Sequence, residues 1–226
     1  MQDRHAVSKP VYDPLLRLLH AWIALAITGL VATAWLAGLF EHGASEAAVW
    51  RAHSLIGYAL ILGLAARILW GFIGPRHARW RDFLHPVAWR AFLDSFRRLD
   101  GTGSGGSGMT WATWHRRLRW PRRDGFGHDP MASLAFLAVY AILVIQSALG
   151  LALVAIEQGS GPLAGILGDA TAWKEFFKEP HETLYSAILA FVVVHLAMLV
   201  WHQMNGQRVA QAMITGIQTR PVEDRP

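Results

Sequence analysis

Four uninterrupted apolar blocks, Leu15 to Phe40, Ser54 to Ile73, Met131 to Ile156 and Thr183 to Val200, decide what this chain can become. The apolar residues do not form a stripe along one face of each block, as in a soluble helix; they run all round it and carry almost no charge. A hydrocarbon core about 30 Å thick takes roughly 20 helical residues, and each block is of that order. The expected fold is therefore an all-α membrane protein, a four-transmembrane-helix bundle forming one domain over residues 1–226, with spans near 15–40, 54–73, 131–156 and 183–204.

The basic residues set the threading. Three Lys or Arg lie up to Arg17 at the mouth of the first span, one before the second, eleven before the third, two before the fourth and three in the tail. Alternate segments thus hold 17 against 3, and the positive-inside rule puts the N-terminus, the long central segment and the C-terminus in the cytoplasm of a bacterial inner membrane. The two outer connections carry seven acids, Glu41, Glu46, Glu157, Asp169, Glu175, Glu179 and Glu182. The first span is too long for a signal h-region and contains His20, so it is expected to stay in the mature protein.

The segment 76–128 reads as a cytoplasmic loop with a flexible Gly/Ser stretch at 101–108. Its interleaved Arg and Trp (Trp80, Trp89, Trp111, Trp114, Trp120) suit anionic lipid headgroups, and no nucleic-acid partner is expected despite the net charge of +5.

Cysteine is absent, which excludes disulfides, iron-sulfur clusters, c-type haem attachment and thiolate zinc sites. A metal must sit on histidine, of which there are eleven. A histidine in hydrocarbon is costly unless it faces a partner. His20 lies at the inner end of span one, His53 at the outer start of span two, His181 at the outer start of span four, and His195 deeper on that span. Fourteen positions separate His181 from His195, nearly four turns or about 21 Å on one face. His53 is then level with His181 outside, and His20 with His195 inside. Two imidazole pairs at two depths suit two six-coordinate b-type haems between the helices. For any single histidine, a hydrogen bond to a neighbouring helix would be the simpler reading; depth-matched pairing sets these four apart. His202, two turns past His195, is a competing ligand expected at the inner surface, and His42 shows that levels are approximate. His5, His77, His85 and His115 are expected to be solvated, and His128 to help start span three.

Arg67 follows His53 by the same fourteen positions, so it reaches the inner level. It either meets a haem propionate or snorkels to the headgroups. Arg17, one turn before His20, and Arg51, beside His53, are further candidates for propionates.

Val11-Tyr12-Asp13-Pro14 through Arg17, His20 and Trp22, His53 with Gly57-Tyr58, the run Arg67 to Arg76, Gly127-His128-Asp129-Pro130, His181-Glu182, His195 and Ala212 to Gly216 together resemble the bacterial cytochrome b561 family, which includes the b-type cytochrome subunits of nickel-iron hydrogenases. The resemblance spans nearly the whole chain and implies His20, His53, His181 and His195 as haem ligands. Tyr12 and Asp129 stand where the family usually has Trp and Asn, and Trp22 comes one position later than the family's Trp. The function implied is electron transfer between the membrane quinone pool and a redox partner: a hydrogenase-type complex, a periplasmic cytochrome c or superoxide. A subunit inside a complex and a free-standing quinone reductase look alike at this level. A histidine-based metal or proton transporter is the alternative, though the spans lack the buried carboxylates such transporters use; a plain membrane anchor would need no paired histidines.

Overall fold

The computed structural model describes residues 6–40, 43–83, 130–204 and 208–221. Most of the expected loop 76–128, including its Gly/Ser stretch 101–108, lies outside the described residues, as do His5, His42, His85, His115 and His128.

Helix α1, Pro14–Ala37, starts where the Asp13 carboxylate accepts the Leu16 N–H at 3.0 Å and where proline, lacking an N–H, does no harm. Helix α2, Ala44–Ile73, runs back and is followed by a 3-10 turn at Arg76–Ala78 and the short α3, Trp80–Phe83. The third long helix is α4, Pro130–Gln158. After α5, Ala164–Leu167, and a 3-10 turn at Thr171–Trp173, α6 covers Lys174–Met204 and α7 Val209–Thr215. The four long helices are each long and apolar enough to cross a membrane.

Two of them begin well before their apolar blocks. Helix α2 starts at Ala44 and α6 at Lys174, with Glu46 and Glu175 in their first turns, where a carboxylate faces the positive end of the helix dipole. His53 and His181 consequently sit inside helices, each about two turns from the start. Pro180 lies within α6 and leaves the Phe176 carbonyl without its ladder N–H, one residue before His181.

A small sheet near the chain ends was not foreseen from the residue pattern. Strand β1, Ala6–Pro10, pairs antiparallel with β2, Ile217–Pro221, with Pro10 opposite Ile217. The Gly216 carbonyl accepts the N–H groups of Val11 and Tyr12, and Gly216 ends α7 in the left-handed conformation. Both ends of the chain are thereby fastened at the same end of the bundle, as four crossings require.

Helix α1 packs along α2, α4 along α6, and α2 meets α4, whereas α1 and α6 approach without sustained packing. Ile23 and Ala26 (α1), Leu60 and Leu64 (α2), Leu143 (α4) and Ile188 (α6) form a buried cluster at mid-bundle. Leu25, Leu62, Leu69 and Val193 point outward and stay exposed, a surface stable only against lipid. Tryptophans lock the helix pairs: Trp22 Nε1 donates to the Ala59 carbonyl at 2.8 Å, and Trp80 Nε1 to the Ile68 carbonyl at 3.0 Å. Both indoles lie on glycines, Gly63 and Gly71, where a Cβ would collide with the ring.

Candidate functional site

At the level nearer the paired strands, termed inner, α1 presents His20 and α6 presents His195. Their ring centroids lie 6.3 Å apart with the planes at 66°. Phe191, one turn before His195 on α6, stacks on its ring at 5.8 Å, and Phe136 of α4 meets it edge-on at 6.1 Å, so the imidazole is held on two sides by aromatic faces. His20 remains exposed on the side where α1 and α6 stand apart.

At the other level, termed outer, α2 presents His53 and α6 presents His181. The His53 Nδ1 lies 2.9 Å from the Thr33 hydroxyl of α1, and Trp50 meets the same ring edge-on at 5.5 Å. The backbone of His181 is held by Gln146 of α4, whose side-chain N–H donates to its carbonyl at 3.0 Å. Its ring faces Gly150, where a Cβ would lie 3.3 Å from Cε1, and its Nδ1 is buried without a partner. Seven residues separate Ile188 from each of the two histidines on α6, so the apolar cluster lies between the two levels.

The three arginines have different fates. Arg67 is 2% exposed and so does not extend to the headgroups; its guanidinium carbon packs 4.7 and 5.6 Å from the centres of the Trp80 and Tyr140 rings, which themselves meet edge-on at 5.3 Å. Its Nε and Nη1 are buried without hydrogen-bond partners. A cation so buried calls for an anion. Arg17 turns toward the tail, donating from Nη1 to the Ile214 carbonyl, while its Nε is buried and unpartnered. Arg51 is exposed and folds back on its own helix, donating from Nε to the Ala47 carbonyl at 3.3 Å. His202 is half-buried near the inner end of α6, and His77, expected in solvent, is half-buried in the turn after α2.

Thr33, Gln146 and Tyr140 escaped the sequence reading. Gln146 carried a usable signal, being an amide inside an otherwise apolar block. Thr33 carried none, because threonine occurs on any face of a membrane helix.

A multi-pass bundle of long apolar helices that brings two histidines together across it belongs to a class, the integral membrane b-type cytochromes. The chain belongs to the prokaryotic cytochrome b561 family, whose model matches residues 11–216. It is thus a membrane b-type cytochrome of electron transfer. Similar curated proteins are those named probable Ni/Fe-hydrogenase B-type cytochrome subunit from Azotobacter chroococcum mcd 1 (25% identical, 96% of this chain and 90% of the relative) and from Rhodobacter capsulatus (26%, with 96% and 83% covered). That from Azotobacter vinelandii is also 25% identical, with 96% and 90% covered. No solved structure matches the chain.

Proposed function

We propose that the chain binds two b-type haems, one between His20 and His195 and one between His53 and His181, and passes electrons between a redox partner and the membrane quinone pool. The observation that carries this reading is the inner pair. Two imidazoles bound to one metal from opposite sides at about 2 Å each put their ring centroids roughly 6 Å apart, and His20 and His195 stand at 6.3 Å. The donor set fits the group in other respects. Ile188 is the one buried residue of α6 among those described, so the helix bearing two of the four histidines leaves most of its surface open to lipid or to a bound group. Glycine at 150 keeps the His181 ring clear, and Arg67 offers two unsatisfied N–H groups to a carboxylate. Arg67 is assigned to a propionate at the inner level, with Arg17 as a second candidate at the mouth of α1; Arg51, turned onto its own helix, is the weakest of the three. Among the described residues no group of three or more His, Cys, Asp or Glu could hold a bare metal ion, and a macrocycle needs only two axial ligands.

When bound, the haems would supply one-electron carriers held by His20, His195, His53 and His181. The chain's own residues do the rest. Phe136 and Phe191 hold His195 and keep water from it, Thr33 and Gln146 restrain the outer pair, and the mid-bundle cluster separates the levels. The basic inner segments support a bacterial inner-membrane location with cytoplasmic termini. Because the relatives are named as hydrogenase cytochrome subunits, a hydrogenase-type complex is the favoured donor over a periplasmic cytochrome c or superoxide.

The test is a dithionite-reduced minus oxidised spectrum of the detergent-purified protein, with haem per chain counted by pyridine haemochrome. Two b-type haems per chain are expected. A folded protein that stays colourless after haem supplementation would overturn the proposal.

A further inference from the structure

The Thr33 hydroxyl is unusually constrained. Its oxygen lies 2.8 Å from the Gly29 carbonyl, 3.0 Å from the Leu30 carbonyl and 2.9 Å from His53 Nδ1. Carbonyl oxygens only accept, and a hydroxyl has one proton to give. That proton goes to the helix carbonyls, so the Thr33 oxygen is left as an acceptor and His53 Nδ1 must carry the proton it receives.

We propose that Thr33 is the positioning residue of the outer pair, holding His53 in the tautomer protonated at Nδ1 so that Nε2 is kept as the lone-pair donor. The inference rests on the proposed role of His53 as a haem ligand and adds what selects the ligating nitrogen. It also makes the outer pair asymmetric, since His181 Nδ1 is buried without such a partner. A ligand imidazole that donates its second N–H is more basic and fixed in orientation; it favours the ferric state and slows ligand loss. The supporting residue comes from α1, so α1 contributes to both levels, with His20 at the inner and Thr33 at the outer.

The test compares Thr33→Val, which keeps the β-branched shape but removes the hydroxyl, with Thr33→Ser, which keeps the hydroxyl. Haem per chain, a potentiometric titration and the low-spin EPR spectrum are recorded on the full chain in detergent. The expected result is that Val raises the midpoint potential of one haem only, by a tenfold change in ferric-to-ferrous preference, about 59 mV for a one-electron couple, and that Ser behaves as the native protein. Loss of one haem with Val but not with Ser supports the same role. Native potentials and spectrum with Val, or equal changes or equal haem loss with Val and Ser, would overturn it. A His53→Ala control separates the two levels of inference. If that variant keeps both haems, the ligand assignment itself fails and the Thr33 role falls with it; if it loses one while Thr33→Val is silent, the Thr33 inference alone is wrong.

Discussion

The Arg67 guanidinium carbon lies 4.7 Å from the centre of the Trp80 ring, stacked on an indole that is itself pinned against Gly71 of the arginine's own helix. The charge is therefore fixed in place by α2 and the segment after it, rather than by a carboxylate. Replacing Arg67 with Gln removes a buried positive charge from the inner level. With a propionate as its partner, the change should lower the midpoint potential of one haem, with a loss of about 1.5–3 kcal/mol from the charge-assisted hydrogen bonds. Arg67→Lys should restore the potential only in part, because an ammonium lacks the planar face that stacks on Trp80. A redox titration in which Arg67→Gln matches the native curve would rule out the propionate role.

Gly150 faces the His181 ring, and a Cβ there would lie 3.3 Å from Cε1. Gly150→Leu should reduce bound haem from two to one per chain while leaving the helix content intact, since leucine is a better helix former than glycine. Haem analysis together with circular dichroism checks both halves. Retention of both haems would mean that the ring does not hold its ligand on that side.

Gly63 and Gly57 lie on the same helix and predict opposite outcomes. A Cβ at 63 would come within 2.5 Å of Trp22 Cδ1, whereas at 57 it would meet nothing within 4 Å. Gly63→Ala should destabilise the α1–α2 pair by about 1–3 kcal/mol through overpacking. Gly57→Ala should be neutral or stabilising by about 0.5–1 kcal/mol. Thermal unfolding in detergent reads both, and equal melting temperatures would show that Trp22 moves aside freely.

The pairing of the histidines can be read from double substitutions. His20→Ala and His195→Ala together should cost no more haem than either alone, because both act on one group. His20→Ala with His53→Ala should leave none. Stoichiometry by pyridine haemochrome decides, and a double variant of the inner pair that loses both haems would contradict the pairing.

The long helices were legible because lipid leaves the sequence few options: a run of twenty apolar residues has one stable form. The nearness of His20 and His195 was legible too, since periodicity along a helix fixes depth and face. Helix starts were not, because Ala44 to Ala52 and Lys174 to Glu182 are polar enough to pass for connections yet continue the helix beyond the hydrocarbon. The strand pair between Ala6–Pro10 and Ile217–Pro221 joins segments from opposite ends of the chain, a contact that local pattern does not encode. Arg67 illustrates the same boundary. Its spacing from His53 gave the level, but whether it reached out to headgroups or turned inward depended on Trp80 and Tyr140, which come from other parts of the chain.

The layer formed by Ile23, Ala26, Leu60, Leu64, Leu143 and Ile188 has an electrical consequence. It is dry and nonpolarisable, so much of the membrane voltage falls across it, and a full crossing of 100 mV costs or yields about 2.3 kcal/mol per elementary charge. On the proposed two-haem reading, an electron moving from one histidine level to the other would do part of that work, while a hydrated proton finds no polar stepping stone among these six side chains. The voltage across the membrane would then bias the direction in which the two proposed haems exchange electrons.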